Sequence, residues 1–364
     1  MRQTQHVKRV GFVAYCWVCA LLLGAVAPVA HAAPVAHAAP GAHAAPGACS
    51  PTVTAVGYSD ALDKKTYGPD RVAGLSGLAY DAASGRYLAL PDHMPEGAVV
   101  WQLTGLDDLP PRPRIAGAPI RLRGADGRQL AGRADNEGIA ALRDGSFVVS
   151  SERGPRISVF ARDGRWRYDV EVPPRYRIAP LGRAAPNAAF EGLTVTPDGN
   201  RLIAAMERGL AGDEPRTRRF LDYRRDAGGR FRLIRELVYR TAPGMRISEI
   251  AAYAPDRIVV LEAAYSPRRG SSAVLATAVI GPARGPDIVR RVTRRPLADL
   301  VDCPALGARS RQFQRNPLMD NYEGMTVAAR PGGHIIHLLS DDNYSPAQTT
   351  RLLTLWARLP GPRG

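Results

Sequence analysis

Apolar residues in this chain come in short runs, such as YLAL, FVVSS, RLIAAM, RIVVLEAA and HIIHLLS. Glycine, proline, aspartate or asparagine follows each run within a few positions, and these are the residues of tight turns. The pattern predicts many short strands joined by turns rather than long helices. High glycine (36) and proline (31) counts, with aromatics at 7%, point the same way.

Five of the runs belong to related segments. They read GLSGLAYDAASGRYLALPDH (74–93), NEGIAALRDGSFVVSSERG (136–154), FEGLTVTPDGNRLIAAMERG (190–209), SEIAAYAPDRIVVLEAA (248–264) and YEGMTVAARPGGHIIHLLSDDN (322–343). Recurrence at about 60 residues points to a propeller or solenoid, and the strand character of the unit selects the propeller. Each segment is led by Ser76, Glu137, Glu191, Glu249 or Glu323, and a second acid follows at Asp92, Glu152, Glu207, Glu262 or Asp341. Turn residues lie midway between the two: Ser84 beside Gly85, Asp144-Gly145, Gly199, Pro255-Asp256 and Gly332. An antiparallel hairpin returns to where it began, so both members of each pair are expected at one end of their blade. The first strand of a propeller blade lines the central channel. The leading residues are therefore expected to ring one channel mouth, with the second acids widening the ring.

Outer strands are supplied by AVVWQLTG, RISVFARDGRWRYDVEV, RRFLDYRRDAGGRFRLIRELVYR, SSAVLATAVIGP and TTRLLTLWARL. The expected fold is an all-β propeller of five to six four-stranded blades. The stretch 265–320 is where a sixth would lie, and SPTVTAVGYS near the mature N-terminus is expected to complete the last blade and close the ring. Ahead of it, the basic start and apolar core of VKRVGFVAYCWVCALLLGAVAPVAHA read as a secretory signal peptide over 1–32, cut after Ala32. Residues 33–50 read as a low-complexity Ala/Pro/His spacer and 51–364 as the propeller domain. Cys16 and Cys19 leave with the signal, so Cys49 and Cys303 form an even pair in an exported chain, expected as one disulfide. No other segment is long enough to span a membrane.

The net charge of +15 carries less than its size suggests. All but Lys8, Lys64 and Lys65 of the basic residues are arginine, scattered along the chain as a GC-rich genome would encode them. The excess favours anionic small molecules mildly. It does not specify a nucleic acid, and the chain is expected as a monomer.

Carboxylates crowded at one mouth repel one another, and a hard divalent cation with oxygen ligands relieves that repulsion. Glu137, Glu191, Glu249, Glu323, Glu262, Asp341 and Asp92 are the expected ligands, with Ca²⁺ or another divalent cation as cofactor. The competing reading makes each Glu-Gly a turn signal whose carboxylate takes backbone N–H groups. Arg153 and Arg208, in SERG and MERG, are placed to grip a phosphate or carboxylate bidentately. Cation and arginine beside carboxylates equip a site for phosphate-ester hydrolysis, with Glu191, Glu137, Glu207 and Glu152 as its catalytic carboxylates. There is no G-x-S-x-G elbow, phosphate-binding glycine loop or H-E-x-x-H motif.

The repeated Glu-Gly hairpins resemble the bacterial "esterase-like activity of phytase" family across roughly residues 70–355. The resemblance implies a secreted β-propeller with phosphoesterase or phytase-like activity. It places the family's acidic positions at Glu137, Glu191, Glu249, Glu323, Glu152, Glu207 and Asp341. The chain departs from that pattern at Ser76 and at PDH, where His93 stands as a further substrate-binding candidate. Two other readings use the same ring: a calcium-dependent lactonase or arylesterase, and a non-catalytic propeller binding a cell-envelope partner.

Overall fold

A computed structural model describes residues 47–131, 134–281 and 289–361. The segment expected as a signal peptide, and the expected spacer as far as residue 46, lie outside the described residues. Five antiparallel sheets form a five-bladed β-propeller. Their innermost strands, Leu75–Asp81, Asn136–Ala141, Phe190–Val195, Arg246–Ala254 and Tyr322–Arg330, lie side by side around the axis. We number the blades in that order.

Each blade is packed on both faces, which is why its strands read as nearly unbroken apolar runs. In the strand Arg201–Met206, Leu202, Ala204 and Met206 face the second blade, while Ile203 and Ala205 face the fourth. The apolar core accordingly divides into five clusters, one at each boundary between neighbouring blades. The inner hairpins turn where the sequence places them. Gly85, Gly145, Gly199 and Gly332 adopt φ between 68° and 82°, a left-handed conformation that other residues enter only with strain.

Every inner strand begins with a break in register against its partner. The breaks fall between Leu75 and Gly77, Asn136 and Ile139, Phe190 and Leu193, Ile247 and Glu249, and Tyr322 and Gly324. Such bulges re-aim side chains, and here they hold the leading residues. The glycine that follows answers to sterics between blades. A Cβ on Gly77 would lie 2.6 Å from the carbonyl oxygen of Glu137, and one on Gly138 2.4 Å from that of Glu191. Gly192 meets Ile250 N at 2.7 Å and Gly324 meets the Leu78 Cβ at 2.9 Å. The glycine of each Glu-Gly pair is therefore a contact point between blades.

The ring closes as expected: Val53–Ser59 pairs with Leu352–Ala357 in the fifth blade. The described residues of 265–320 hold no sixth blade. Gly270–Val279 and Arg294–Asp299 are the outer strands of the fourth blade, and Val289–Arg291 adds a parallel edge to the third. The propeller also begins earlier than expected, because Gly47–Ser50, assigned to the spacer, forms a strand against Val53–Ser59. Cys49 on that strand is bonded to Cys303 across a sequence separation of 254 residues. Cys303 follows the outer strand of the fourth blade, so the bond clamps the last blade to its neighbour.

Two measurements check this account. Gly138→Ala should destabilise the protein by about 1–3 kcal/mol in urea unfolding, because the added methyl meets backbone that cannot move aside. Cys303→Ser should cost about 2–5 kcal/mol by the same measurement, with the far-ultraviolet circular dichroism of the folded state unchanged.

Candidate metal centre

The bulges deliver the leading side chains to one mouth of the channel, and the returning strands bring their second acids beside them. Glu137, Glu191 and Glu323 meet Asp92, Glu152, Glu207 and Asp341 there, seven carboxylates acting on one another electrostatically. Most are buried, with Glu191 and Glu323 at 8% exposure and Asp341 at 2%. One oxygen from each of Glu152, Glu191 and Glu207 lies within 4.8 Å of the other two. These three come from two adjacent blades, and their all-oxygen donor set suits a hard divalent cation.

Beneath the acids lies an apolar ring, Leu78, Ile139, Leu193, Ile250 and Met325, one residue from each inner strand and each at most 2% exposed. It caps a channel cavity of about 320 Å³ that opens on the far side. The acids therefore sit between an apolar floor and the mouth, and their protonation shows it. Burial pushes Glu137 and Glu191 well above the usual carboxylate range, and neighbouring carboxylates push the same way. Asp341 behaves likewise, through burial and then Glu323 and Asp92. Glu152 is lifted to about 7, chiefly by burial, although the Ala189 N–H it accepts pulls the other way. Ser76, at the leading position of the first blade, is 3% exposed and its hydroxyl has no hydrogen-bond partner in the structure. The crowded, buried oxygens of Glu152, Glu191 and Glu207 are what a hard cation would neutralise, so the residues present fit such an ion.

The fourth blade departs from the expected pattern. Ile247 pairs with Glu262, the register that Tyr322 holds with Ser340 and Leu75 with Pro91. Ser248, not Glu249, thus occupies the leading position, and Ala263, not Glu262, the second. The Glu249 carboxylate instead accepts the backbone N–H groups of Leu193 and Ile250 at the boundary with the third blade. Glu262 is satisfied by Tyr239 Oη, Ala242 N and Arg294. Neither belongs to the ring. A slip of one residue at both ends of a hairpin leaves its midpoint unmoved, so turn position alone could not reveal it.

In place of acids, the fourth blade contributes Arg246, which the sequence reading missed. Its Nη1 donates to Glu191 at 3.2 Å, its Nη2 donates to Glu323 at 2.9 Å and to Asn321 Oδ1 at 3.3 Å, and its Nε faces Glu207 at 3.5 Å. Burial alone would weaken its hold on the proton, but Glu323, Glu191 and Glu207 more than reverse that. Aligning Ile247 with Leu75, Phe190 and Tyr322, the apolar residues that precede the leading positions of the first, third and fifth blades, would have shifted the register and pointed to it.

Arg208 lies exposed at the rim, its Nε on Glu207 at 3.3 Å, and Arg153 is exposed beside Asp135 and Glu152. His93 Nδ1 is 2.8 Å from Asp92 Oδ2, and its ring leans on Tyr344 with centroids 4.8 Å apart. Asn343 and Tyr344 both carry positive φ, 46° and 53°. The Asp341 carboxylate accepts Asn343 N at 2.7 Å, and Asp342 accepts Tyr344 N at 3.2 Å.

Fold and site together define a five-bladed propeller with a strongly acidic channel mouth. Residues 70–344 match the Phytase-like family, described as esterase-like activity of phytase, and the chain belongs to that family. A relative in Arthroderma benhamiae, an uncharacterized secreted protein, is 30% identical over 115 residues, 25% of this chain and 22% of that protein. The match thus spans under a quarter of that relative's length. A gluconolactonase from Xanthomonas campestris superposes with a TM-score of 0.37 at 14% identity, covering 85% of this chain and 89% of its own. A virginiamycin B lyase from Staphylococcus aureus gives 0.33 at 11%, covering 77% and 65%. Likeness that distant carries no chemistry across. A secreted relative and a formed disulfide fit an extracellular protein, and among the described residues no helix is long and apolar enough to cross a membrane.

The raised carboxyls set a pH dependence. A group whose folded pKa exceeds its unfolded one holds more protons folded than unfolded, so stability falls as pH rises through that window. For Glu152 the window runs from about 4.5 to about 7, and Asp320, lifted by burial to about 6, adds to it. Asp144, held near 2 by Ser146 and Arg167 against its partial burial, acts only in stronger acid. In EDTA the melting temperature should drop by roughly 5 °C or more between pH 5 and pH 8. Calcium should flatten that slope, with its largest stabilisation at pH 8.

Proposed function

We propose that this chain is an exported, cation-dependent hydrolase of phosphate esters. The observation that carries the reading is the convergence of Glu152, Glu191 and Glu207 on one point at a mouth holding four further carboxylates. Membership of the Phytase-like family supports it. Ca²⁺ is the cation the donor set suits best, since every candidate ligand is an oxygen and the strand-borne carboxylates allow a high coordination number. A divalent cation bound there would polarise a phosphoryl oxygen and lower the pKa of a water.

The chain's own residues divide the remaining work. Glu152, Glu191 and Glu207 hold the ion. Glu137, partly open to the mouth and held above the usual carboxylate range by burial and its acidic neighbours, is placed to give a proton to a leaving oxygen. Arg208 and Arg153 on the rim meet the anionic ester, and the net charge of +15 draws it in. His93, held by Asp92, stands beside them to contact the leaving group. Export through the expected signal peptide would put the enzyme outside the cell, where millimolar calcium keeps a weak site filled.

Hydrolysis of bis(4-nitrophenyl) phosphate tests the proposal, after stripping with EDTA and again with calcium restored. Turnover should return with calcium and fall by about 10²–10³ in kcat for Glu191→Gln. Arg208→Ala should raise KM with little change in kcat. Calcium-independent turnover that survives Glu191→Gln would put the chemistry elsewhere. Hydrolysis of aryl acetates or lactones but of no phosphate ester would overturn the substrate class.

A further inference from the structure

The fourth blade withholds its acids and supplies a guanidinium in their place. Two of the three carboxylates that Arg246 holds, Glu191 and Glu207, are also two of the three that define the candidate cation site. A guanidinium and a divalent ion would therefore claim the same oxygens. Both cannot keep them, because an ion bound by those oxygens repels the positive charge that shares them.

We infer that Arg246 is a tethered competitor of the cation and, once displaced, the group that holds the phosphate. This rests on the cation-site reading above. Without an ion, Glu191, Glu207 and Glu323 occupy the guanidinium, and an incoming phosphate meets a ring of net negative charge. With an ion bound, Glu191 and Glu207 turn to it and the Arg246 N–H groups they occupied become available. At 19% side-chain exposure the guanidinium reaches the mouth while remaining poorly hydrated. Asn321 Oδ1 and the Glu323 carboxylate still anchor Nη2, so the guanidinium stays in place beside the ion with Nη1 and Nε released. Nη1–H and Nε–H lie on different edges of the guanidinium plane, so each offers an oxygen of the phosphate a single charge-assisted hydrogen bond next to the ion. Binding is then ordered, cation first and phosphate second, and linkage makes each tighten the other.

A merely structural arginine makes the opposite prediction for the cation, which makes the idea testable by calorimetry at pH 8. The probes are Ca²⁺ alone and phenylphosphonate, a phosphate-monoester analogue that cannot be hydrolysed. Wild type should bind phenylphosphonate only when calcium is present. Arg246→Gln should bind calcium about tenfold tighter, having lost its internal rival, and should lose phenylphosphonate binding even in calcium. Weaker calcium binding in that variant, with a lower melting temperature in calcium, would make Arg246 a structural bridge and overturn the inference. Should Arg246→Gln fail to fold, Arg246→Lys decides, since it keeps the charge and loses the plane that lets Nη2 stay anchored while Nη1 and Nε are released. Phenylphosphonate affinity about tenfold weaker supports the inference, and wild-type affinity overturns it. Wild type that binds no calcium removes the cation site and this inference together. Calcium binding and turnover that remain intact while Arg246→Gln changes neither affinity remove only the inference.

Discussion

Five strands around one axis must touch backbone to backbone, and at those points there is no room for a side chain. Gly77, Gly138, Gly192 and Gly324 mark the contacts, each against main chain or Cβ of the next blade. The rest follows from that closeness. The bulge that lets a backbone approach its neighbour also turns the preceding residue out of the sheet and toward the mouth. One steric requirement thereby sets the spacing of the blades and gathers Glu137, Glu191 and Glu323 within reach of one another. At the fourth blade Glu249 stands in the glycine's place, and its carboxylate turns back to the boundary with the third blade, accepting N–H groups on both sides of it.

The electrostatics are a consequence of that geometry. Hairpins return the second acids to the same end, so charge accumulates where the backbones are closest and water is least available. An apolar residue from every blade closes the floor beneath, which denies the carboxylates solvation from below. Arg246 is the fold's own partial remedy. It neutralises one charge of seven and leaves the mouth strongly acidic.

Much of this was legible in the chain. The β class, the repeat, the turn glycines, the closing strand and the Cys49–Cys303 bond all have local or compositional signals, because they depend on periodicity and on residues with special backbone freedom. Register does not. Glu249 and Glu262 each stand one residue from the ring, and the symmetric slip preserves the hairpin centre by which they were placed. Their true surroundings, Leu193 N–H for one and Arg294 with Tyr239 for the other, are contacts between neighbouring blades or outer strands, distant in sequence. Arg246 escaped for a related reason: its partners Glu191 and Glu323 lie 55 and 77 residues away. The extent of the fourth blade was obscured because Val289–Arg291 leaves it to join the third, a crossover that no pattern within 265–320 announces.

The closing strand orders events in the life of the chain. Val53–Ser59 takes its place beside Leu352–Ala357, and that partner is made after the other described strands of the ring. The closing strand is therefore made before the inner strands of all five blades, and its own blade is completed only after the other four. Until then two edges of the unfinished ring stand open, with backbone groups able to pair with another chain. Oxidation of Cys49 with Cys303 can precede that final pairing, since Cys303 emerges before residues 352–357. A bond formed at that stage would hold the waiting strand beside the fourth blade and shorten its search for the last one.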